Sequence, residues 1–164
     1  MAADETQQRI AELKERAKAF AEGIAAASGL EVTAQAVDTE EESIVLAFDG
    51  PDARHLVGRG GQTLDALAYL AGLAIHRRPS SGPSPRLRII CDADGYRVRR
   101  EQTLKDLAAE LSEQVRATGQ EAVLDPLSPL ERRIVHQALT DEPDVRTYSE
   151  GEEPERYIVI APVL

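Results

Sequence analysis

The turn Gly58-Arg59-Gly60-Gly61 constrains the fold of this chain more than any other stretch of its sequence. The apolar segment before it, Pro51–Val57, is typical of a helical turn that stops at Gly58. The segment after it has apolar residues at helical spacing, namely Leu64, Leu67, Ala68, Ala71, Ala74 and Ile75. Because glycine has no Cβ, the backbone of a Gly-x-x-Gly turn can come close to a bound group. The sequence therefore predicts two helical elements joined by a turn that is open to a ligand.

A phosphate is the ligand that best suits this turn. The helix that follows is expected to point unpaired N–H groups and the positive end of its dipole toward the turn. Gly58 and Gly61 would let a sugar–phosphate backbone approach without a Cβ clash, and Arg59 would add a charged donor. The predicted nucleic-acid contacts of this region are Gly58, Arg59, Gly60, Gly61, Gln62 and Thr63. The alternative is a helix–helix turn that uses glycine only for tight packing.

The elements around the turn predict a first unit with the order α-β-β-α-α-β. An apolar stripe within the first 30 residues indicates an amphipathic helix. Alternating residues at Val32–Ala36 and Ile44–Phe48, around the acidic turn Asp38–Glu42, predict a β-hairpin. A loop, Pro79–Pro85, precedes a third strand at Leu87–Cys91. The helices would cover one face of the resulting sheet.

A turn at Asp92–Gly95 ends this unit, so we expect one domain over residues 1–93 and another over residues 94–164. The second unit is predicted to have the order α-β-α-β-β, and the whole chain is of the α+β class. Ser128, Pro129 and Glu131 have the form of a capping box at a helix start. The predicted elements are a helix Tyr96–Thr118, a strand Glu121–Leu124, a helix from Pro129, and a hairpin of Val145–Tyr148 with Tyr157–Ile160.

The distribution of charge allows a polyanionic partner although the net charge is −10. Residues 1–53 carry 4 basic and 12 acidic side chains, and residues 101–164 carry 6 basic and 14 acidic ones. Residues 54–100 carry 9 arginines and 3 aspartates. A basic zone between acidic flanks can bind nucleic acid while repelling unguided contacts. A solvated arginine face is the alternative.

Several classes of protein are disfavoured by the composition. An apolar content of 42% is enough for packed cores. The longest apolar run is far short of the ~18 residues that a membrane span requires, and the N-terminus does not resemble a secretory signal. Cys91 is the only cysteine, so no disulfide framework is expected. We predict no metal, no cofactor and a cytoplasmic location.

Arg132 and His136 form a second constellation, four residues apart on the capped helix. That spacing places both side chains on one face, opposite a predicted apolar face of Leu130, Ile134 and Ala138. Arginine can bind phosphate through parallel N–H groups, and histidine can gain charge beside an anion. The pair therefore predicts another nucleic-acid contact, and an ordinary surface pair is the alternative.

Two parts of the sequence resemble known RNA-binding domains. The string VGRGGQTLDALAYLAGLAIHR and its element order resemble a type II KH domain, over about residues 5–93. KH domains clamp the backbone of four nucleotides with a Gly-x-x-Gly loop. The strings PLSPLERRIVHQAL and VRTYSEGEEPERYIVIAP resemble the R-3-H domain, over roughly residues 97–164. That domain binds single-stranded nucleic acid and is named for an arginine and a histidine separated by three residues.

A KH domain followed directly by an R-3-H domain resembles the bacterial Jag/KhpB (SpoIIIJ-associated) family, in a short form without its usual N-terminal domain. The resemblance implies a cytoplasmic single-stranded RNA-binding protein, an RNA chaperone or post-transcriptional regulator. It links this role to cell-wall synthesis, cell shape and division. It also implies a small KH-domain partner protein or a homodimer. The RNA-contact residues that it adds in the hairpin are Thr147, Ser149 and Arg156.

Three arginines at the start of the connecting helix could extend the RNA path, and pairing with nearby acids is an equally open interpretation. They are Arg97, Arg99 and Arg100. The leading function is a non-catalytic RNA-binding regulator, and the second is an interaction scaffold that recruits protein partners. A third function, hydrolysis of phosphodiesters, is disfavoured because His136 has no catalytic partner in the sequence. We therefore predict that the protein is not an enzyme.

Overall fold

The computed structural model describes residues 2–39, 43–76 and 87–163. The predicted loop Pro79–Pro85, and residues 40–42 of the predicted acidic turn, lie outside the described residues. The chain divides into two compact units, which we call unit 1 (Met1–Arg97) and unit 2 (Val98–Leu164). Within the described ranges, none of the helices combines the length and the apolar character needed to cross a lipid bilayer.

Unit 1 has the predicted element order, with a 3-10 turn as its middle helical piece. Strand β2 is central, because β1 pairs with it antiparallel and β3 pairs with it in parallel. The parallel pairing of β2 with β3 requires a crossover, which α2 provides. The elements are α1 (Ala2–Ser28), β1 (Thr33–Thr39), β2 (Ser43–Asp49), 3-10 turns at Ala53–Leu56 and Arg59–Gly61, α2 (Gln62–Ile75) and β3 (Arg88–Ala93).

The core of unit 1 forms where α1 and α2 cover one face of this sheet. The largest fully buried side chains include Leu46 and Phe48 of β2, and Leu64 and Ile75 of α2. Burial of each such side chain contributes about 1.5–3 kcal/mol, so the apolar stripe of α2 fixes the glycine turn at its start. Cys91 of β3 is also fully buried, and burial raises the pKa of its thiol to about 12. The single cysteine is therefore a neutral packing residue.

Unit 2 also has the predicted element order, and its first helix begins at the end of unit 1. Its three strands form an antiparallel sheet in the order β4-β6-β5. A core that includes Leu104, Val115, Val135, Ile158 and Ile160 lies between this sheet and the helices. The elements are α3 (Tyr96–Thr118), β4 (Ala122–Val123), α4 (Pro129–Ala138), β5 (Val145–Glu150) and β6 (Tyr157–Pro162).

The capping box of α4 is present, but the predicted orientation of this helix is wrong. The Ser128 hydroxyl accepts a hydrogen bond from the Glu131 amide, and a Glu131 carboxylate oxygen accepts one from the Ser128 amide. The buried positions on α4 are Glu131, Arg132 and Val135, whereas Leu130 is 45% exposed. Charged side chains can be buried when they are paired, and both of these are. Arg132 is therefore not on the exposed face that the spacing suggested.

Candidate nucleic-acid interface

Three glycines give the turn of unit 1 its conformation. Gly58, Gly60 and Gly61 have φ angles of 71°, 57° and 84°, in the region that glycine adopts most readily. A Cβ on Gly58 would lie 2.9 Å from the backbone nitrogen of Thr63, and closer still to its hydroxyl. A Cβ on Gly61 would lie 3.1 Å from the ring of Tyr96. The chain itself fills the space beside both glycines where a Cβ would lie, so their lack of a Cβ is required by internal packing and does not by itself make room for a ligand.

Gly60 is the position where the turn is open. Among the described residues, no heavy atom lies within 4 Å of the place where its Cβ would be. Gly60 is exposed, as are the neighbouring side chains of Arg59 and Gln62. Arg54 of the preceding 3-10 turn is exposed as well. A ligand can therefore reach bare backbone at Gly60 with two guanidinium groups nearby in the sequence.

The first amides of α2 are already used inside the turn. The Gln62 amide donates to the Arg59 carbonyl, and the Thr63 amide donates to the Val57 carbonyl at 3.2 Å. The prediction that the first amides of this helix are unpaired is therefore wrong for these two. The physical reason is the tight 3-10 turn that precedes α2, because such turns satisfy groups that an isolated helix end leaves free. Anion binding here must depend on the exposed Gly60 backbone and the arginine side chains.

Arg97, one of the predicted RNA contacts, holds unit 1 together. Its Nη2 lies 2.7 Å from a carboxylate oxygen of Asp65 in the first turn of α2. Its Nε donates to the Cys91 carbonyl at 2.8 Å. Because these bonds use two faces of the guanidinium, Arg97 joins β3 and the start of α3 to α2.

Arg100 has a comparable role in unit 2, while Arg99 is exposed. The Nε of Arg100 donates to a carboxylate oxygen of Glu131 at 2.8 Å, and the carboxylate is only 11% exposed. Glu131 also completes the capping box of α4, so one carboxylate stabilises two elements. Arg97 and Arg100 are thus paired with carboxylates, as the alternative interpretation of the arginine cluster predicted.

Arg132 uses its guanidinium within unit 2. One amino group, Nη1, donates to the Leu127 carbonyl at 2.7 Å, and the other, Nη2, donates to a Glu153 carboxylate oxygen at 2.5 Å. The Arg132 side chain is buried, whereas that of Glu153 is half exposed. Glu153 was not among the predicted site residues. It lies 21 residues from Arg132 in the turn between β5 and β6, and no local pattern in the sequence indicates the contact.

The structure brings His136, Thr147 and Ser149 together. The Nδ1 of His136 lies 2.7 Å from the Thr147 hydroxyl, and Nε2 lies 3.1 Å from the Ser149 hydroxyl. Burial, and then the positive charge of Arg132, lower the pKa of His136 below its ordinary value of 6.5. At neutral pH the ring is therefore neutral, with one nitrogen donating and the other accepting. Two hydroxyls from β5 and one imidazole from α4 form a polar cluster near Arg132.

Arg156, the last predicted hairpin residue, is partly buried. Its Nε is inaccessible to solvent and has no hydrogen-bond acceptor among the residues that the structure describes. Tyr96 was also missed as a site residue, although it packs on Gly61. A tyrosine at the start of a predicted helix gives no signal that it supports a turn 35 positions earlier.

Two family descriptions match separate parts of the chain. Residues 14–89 match the family described as KhpA/KhpB, KH domain. Residues 102–162 match the family described as the R-3-H domain. The first range includes the glycine turn, and the second includes α4 with the β5–β6 hairpin.

Curated relatives named RNA-binding protein KhpB are similar to most of the chain. The protein of Clostridium symbiosum is 36% identical over 151 residues, which are 91% of this chain and 66% of that protein. The protein of Lactiplantibacillus plantarum is 36% identical over 125 residues, 76% of this chain and 38% of that protein. The protein of Bacillus subtilis is 35% identical over 127 residues, 76% of this chain and 59% of that protein. The chain therefore spans less than two thirds of the length of these relatives.

Proposed function

The chain belongs to the KhpB family of RNA-binding proteins, and from this premise we propose that it binds single-stranded RNA as an RNA chaperone or post-transcriptional regulator. The activity is binding without catalysis, since the matched domains and the names of the relatives are those of RNA-binding proteins. Residues 1–93 and 94–164 would act as two RNA-binding domains on one chain. Two weak sites on one chain strengthen each other by raising the effective concentration of the strand.

The open backbone at Gly60 is the observation that carries this proposal. A phosphate needs hydrogen-bond donors and positive charge that are not already used by the protein. Gly60 is exposed and uncovered among the described residues, and Arg54 and Arg59, which precede it in the sequence, are exposed as well. An RNA backbone that passes this turn would meet both guanidinium groups.

The polar cluster of unit 2 supports a second contact. Thr147 and Ser149 each supply a hydroxyl within hydrogen-bond distance of the His136 imidazole. Hydroxyls can turn from an intramolecular partner to a phosphate oxygen at small cost. Arg132 would provide the positive charge for this contact once a phosphate oxygen replaced the Glu153 carboxylate on its Nη2. Arg156 has a buried Nε that a phosphate oxygen could satisfy only after rearrangement, so we assign it a smaller role.

The RNA contact at the glycine turn can be tested with two matched variants of Gly60. Aspartate and asparagine have the same shape, and both tolerate the left-handed conformation at this position. We expect Gly60→Asp to bind a fluorescent single-stranded oligoribonucleotide about tenfold or more weakly than Gly60→Asn, because a carboxylate beside phosphate is repelled. Fluorescence anisotropy at fixed salt measures the difference.

Thermal unfolding of both Gly60 variants provides the control, since equal unfolding temperatures exclude misfolding as the cause. If both folded variants bind RNA as tightly as the unaltered protein, the assignment of this turn to RNA binding is contradicted. Loss of affinity in both variants together would point to steric exclusion rather than to a phosphate contact.

The cellular setting is part of the same proposal. The resemblance to the KhpB family supports action in the cytoplasm, on RNAs linked to cell-wall synthesis, cell shape and division. Crosslinking of RNA in living cells, followed by sequencing, would identify these RNAs. Recovery of RNAs without any enrichment for cell-envelope functions would contradict this link and leave RNA binding itself intact.

A second candidate function is pairing with a small KH-domain protein or with another copy of this chain. The outer face of α2 favours it, because the side chains of Tyr69 and Leu73 are 68% and 59% exposed and Leu70 is also exposed. Adjacent exposed apolar groups on one helix face are typical of protein-interaction surfaces. This face belongs to the helix that follows the glycine turn, so pairing and RNA binding would involve the same unit.

Light scattering tests this pairing. We expect the mass of the purified chain, alone or with a KH-domain partner, to exceed the 17.9 kDa of one copy. Leu73→Arg should restore the mass of a single copy, because an arginine in an apolar interface is not solvated. Val123→Arg is the matched control, since Val123 is an exposed apolar residue of unit 2. A single-copy mass for the unaltered protein at every concentration, with and without the partner, would reject the pairing.

A further inference from the structure

The ion pair between Arg132 and Glu153 differs from the other buried pair of unit 2. In the pair of Arg100 with Glu131, the carboxylate is nearly buried and also accepts the Ser128 amide, so it is fixed by two elements. Glu153 is half exposed and lies among exposed residues of the β5–β6 turn. Its only hydrogen bond among the described residues is to Arg132. The Glu153 side chain is therefore held by one hydrogen bond, and another anion on Nη2 of Arg132 could replace it.

Arg132 is prepared for a second acceptor at the position that Glu153 occupies. The bond from Nη1 to the Leu127 carbonyl fixes the plane of the guanidinium. The Nη2 group then points at the Glu153 carboxylate oxygen, 2.5 Å away. A phosphate oxygen and a carboxylate oxygen have the same charge and hydrogen-bonding chemistry toward a guanidinium. Removal of Glu153 would leave Nη2 with a free donor in the geometry that a phosphate needs.

The surroundings favour a phosphate over a carboxylate at this position. The hydroxyls of Thr147 and Ser149 lie beside His136, one helical turn from Arg132. A tetrahedral phosphate has further oxygens that can accept hydrogen bonds, whereas the Glu153 side chain makes one hydrogen bond, to the Arg132 guanidinium.

We propose that Glu153 is a built-in competitor of RNA, which occupies the phosphate position on Arg132 until a strand displaces it. This inference rests on the proposed RNA-binding function and adds a residue that sets its affinity and selectivity. A strand that is already held by other contacts has a high local concentration of phosphate and displaces the carboxylate. An isolated anion lacks that advantage, so the competitor selects polyanions over free phosphate.

The test compares Glu153→Gln with Glu152→Gln. Both variants remove one negative charge from the same turn, but Glu152 is exposed and has no partner among the described residues. Glutamine at position 153 keeps the size of the side chain and weakens the charge-assisted bond to Arg132. We expect Glu153→Gln to bind a single-stranded oligoribonucleotide about fivefold more tightly than Glu152→Gln at the same salt concentration.

A third variant separates failure of this inference from failure of the proposed function. Arg132→Lys keeps the charge and loses the forked donor geometry. We expect it to bind RNA more weakly and to abolish the gain from Glu153→Gln when the two are combined. Suppose that Arg132→Lys weakens RNA binding, but Glu153→Gln and Glu152→Gln bind RNA with equal affinity. The role of Glu153 as a competitor is then rejected, and RNA binding by Arg132 stands.

Two other outcomes overturn the inference for different reasons. Unchanged RNA affinity in Arg132→Lys would remove Arg132 from the interface, and the proposed role of the unit 2 cluster would fail with it. Weaker RNA binding in Glu153→Gln, together with a lower unfolding temperature than Glu152→Gln, would show that Glu153 stabilises the binding-competent fold.

Binding of inorganic phosphate by Glu153→Gln but not by the unaltered protein, followed by NMR, would support the role of Glu153 as a competitor directly.

Discussion

Replacement of Gly58 by alanine is expected to lower the stability of unit 1 by about 3 kcal/mol or more. Gly58 has φ 71° and ψ −173°, a conformation that is essentially restricted to glycine. The added Cβ would also lie 2.9 Å from the Thr63 backbone nitrogen, and backbone atoms cannot move aside cheaply. The expected result is loss of the turn and displacement of the N-terminus of α2.

Gly60→Ala is the matched control for this prediction. Its φ of 57° carries the strain of the left-handed region, about 1–2 kcal/mol, but no described atom lies near the new Cβ. Denaturant unfolding of both variants, followed by a probe in unit 1, measures the difference. Equal destabilisation by the two substitutions would contradict the finding that Gly58 is required by internal packing.

The second large effect is expected at Arg132, where methionine should destabilise unit 2 by about 3 kcal/mol. Methionine fills much of the buried space but leaves the Leu127 carbonyl without its donor. Arg133→Met is the control, because Arg133 is exposed and adjacent on the same helix. Urea unfolding of the two variants, followed by a probe in unit 2, tests the difference. Similar stabilities would mean that the bonds of Arg132 contribute little.

The Arg132→Met variant should also change the pH dependence of stability. In the unaltered protein the pKa of His136 is below 6.5, so the unfolded state binds this proton first as pH falls. The stability that the neutral His136 contributes is therefore present above pH 6.5 and is lost as pH falls from 6.5 toward the lower folded pKa. Without the charge of Arg132 the pKa of His136 rises, and this loss becomes smaller. NMR titration of the imidazole in both proteins shows directly whether the pKa of His136 rises in Arg132→Met.

Local signals in the sequence predicted the elements well. The helix Tyr96–Thr118 and the helix start at Pro129 have the predicted bounds, because glycine, proline and the capping box act within a few residues. The strands of both sheets overlap the predicted positions, although β4 is shorter and β1 continues to Thr39, past the predicted start of the acidic turn at Asp38. Periodicity and turn residues thus determine the order of elements in both units.

Contacts between distant residues could not be predicted in this way. The prediction of which face of α4 is exposed was wrong, because Glu131 and Arg132 are both buried. Glu131 pairs with Arg100, 31 positions away, and Arg132 pairs with Glu153, 21 positions away. Sequence spacing places Arg132 beside His136 but does not say which face is covered. The roles of Gly58 and Gly61 were missed for the same reason, since Thr63 and Tyr96 fill the space beside them only in the folded chain.

The predicted RNA contacts stay predictions, but the exposure of some of these residues is compatible with them. Arg59, Gly60 and Gln62 are exposed as an RNA contact requires, and His136 meets Thr147 and Ser149. Pairing with acids was left open for Arg97 and Arg100, but the partners of Arg97, Arg100 and Arg132 could not be predicted. In a chain with 29 acidic and 19 basic side chains, most arginines can find a carboxylate, so composition alone suggests pairing without naming partners.

Titration of the isotope-labelled protein with a short single-stranded oligoribonucleotide, followed by amide NMR, tests the central claim most directly. If RNA lies along the glycine turn and the unit 2 cluster, the largest shifts will occur at Arg59–Thr63 and at Thr147–Glu153. Both sets of shifts should weaken as salt is raised, because phosphate contacts release counterions. Shifts confined to the outer face of α2, or the absence of any shift at low salt, would contradict the claim that RNA binds at these two places.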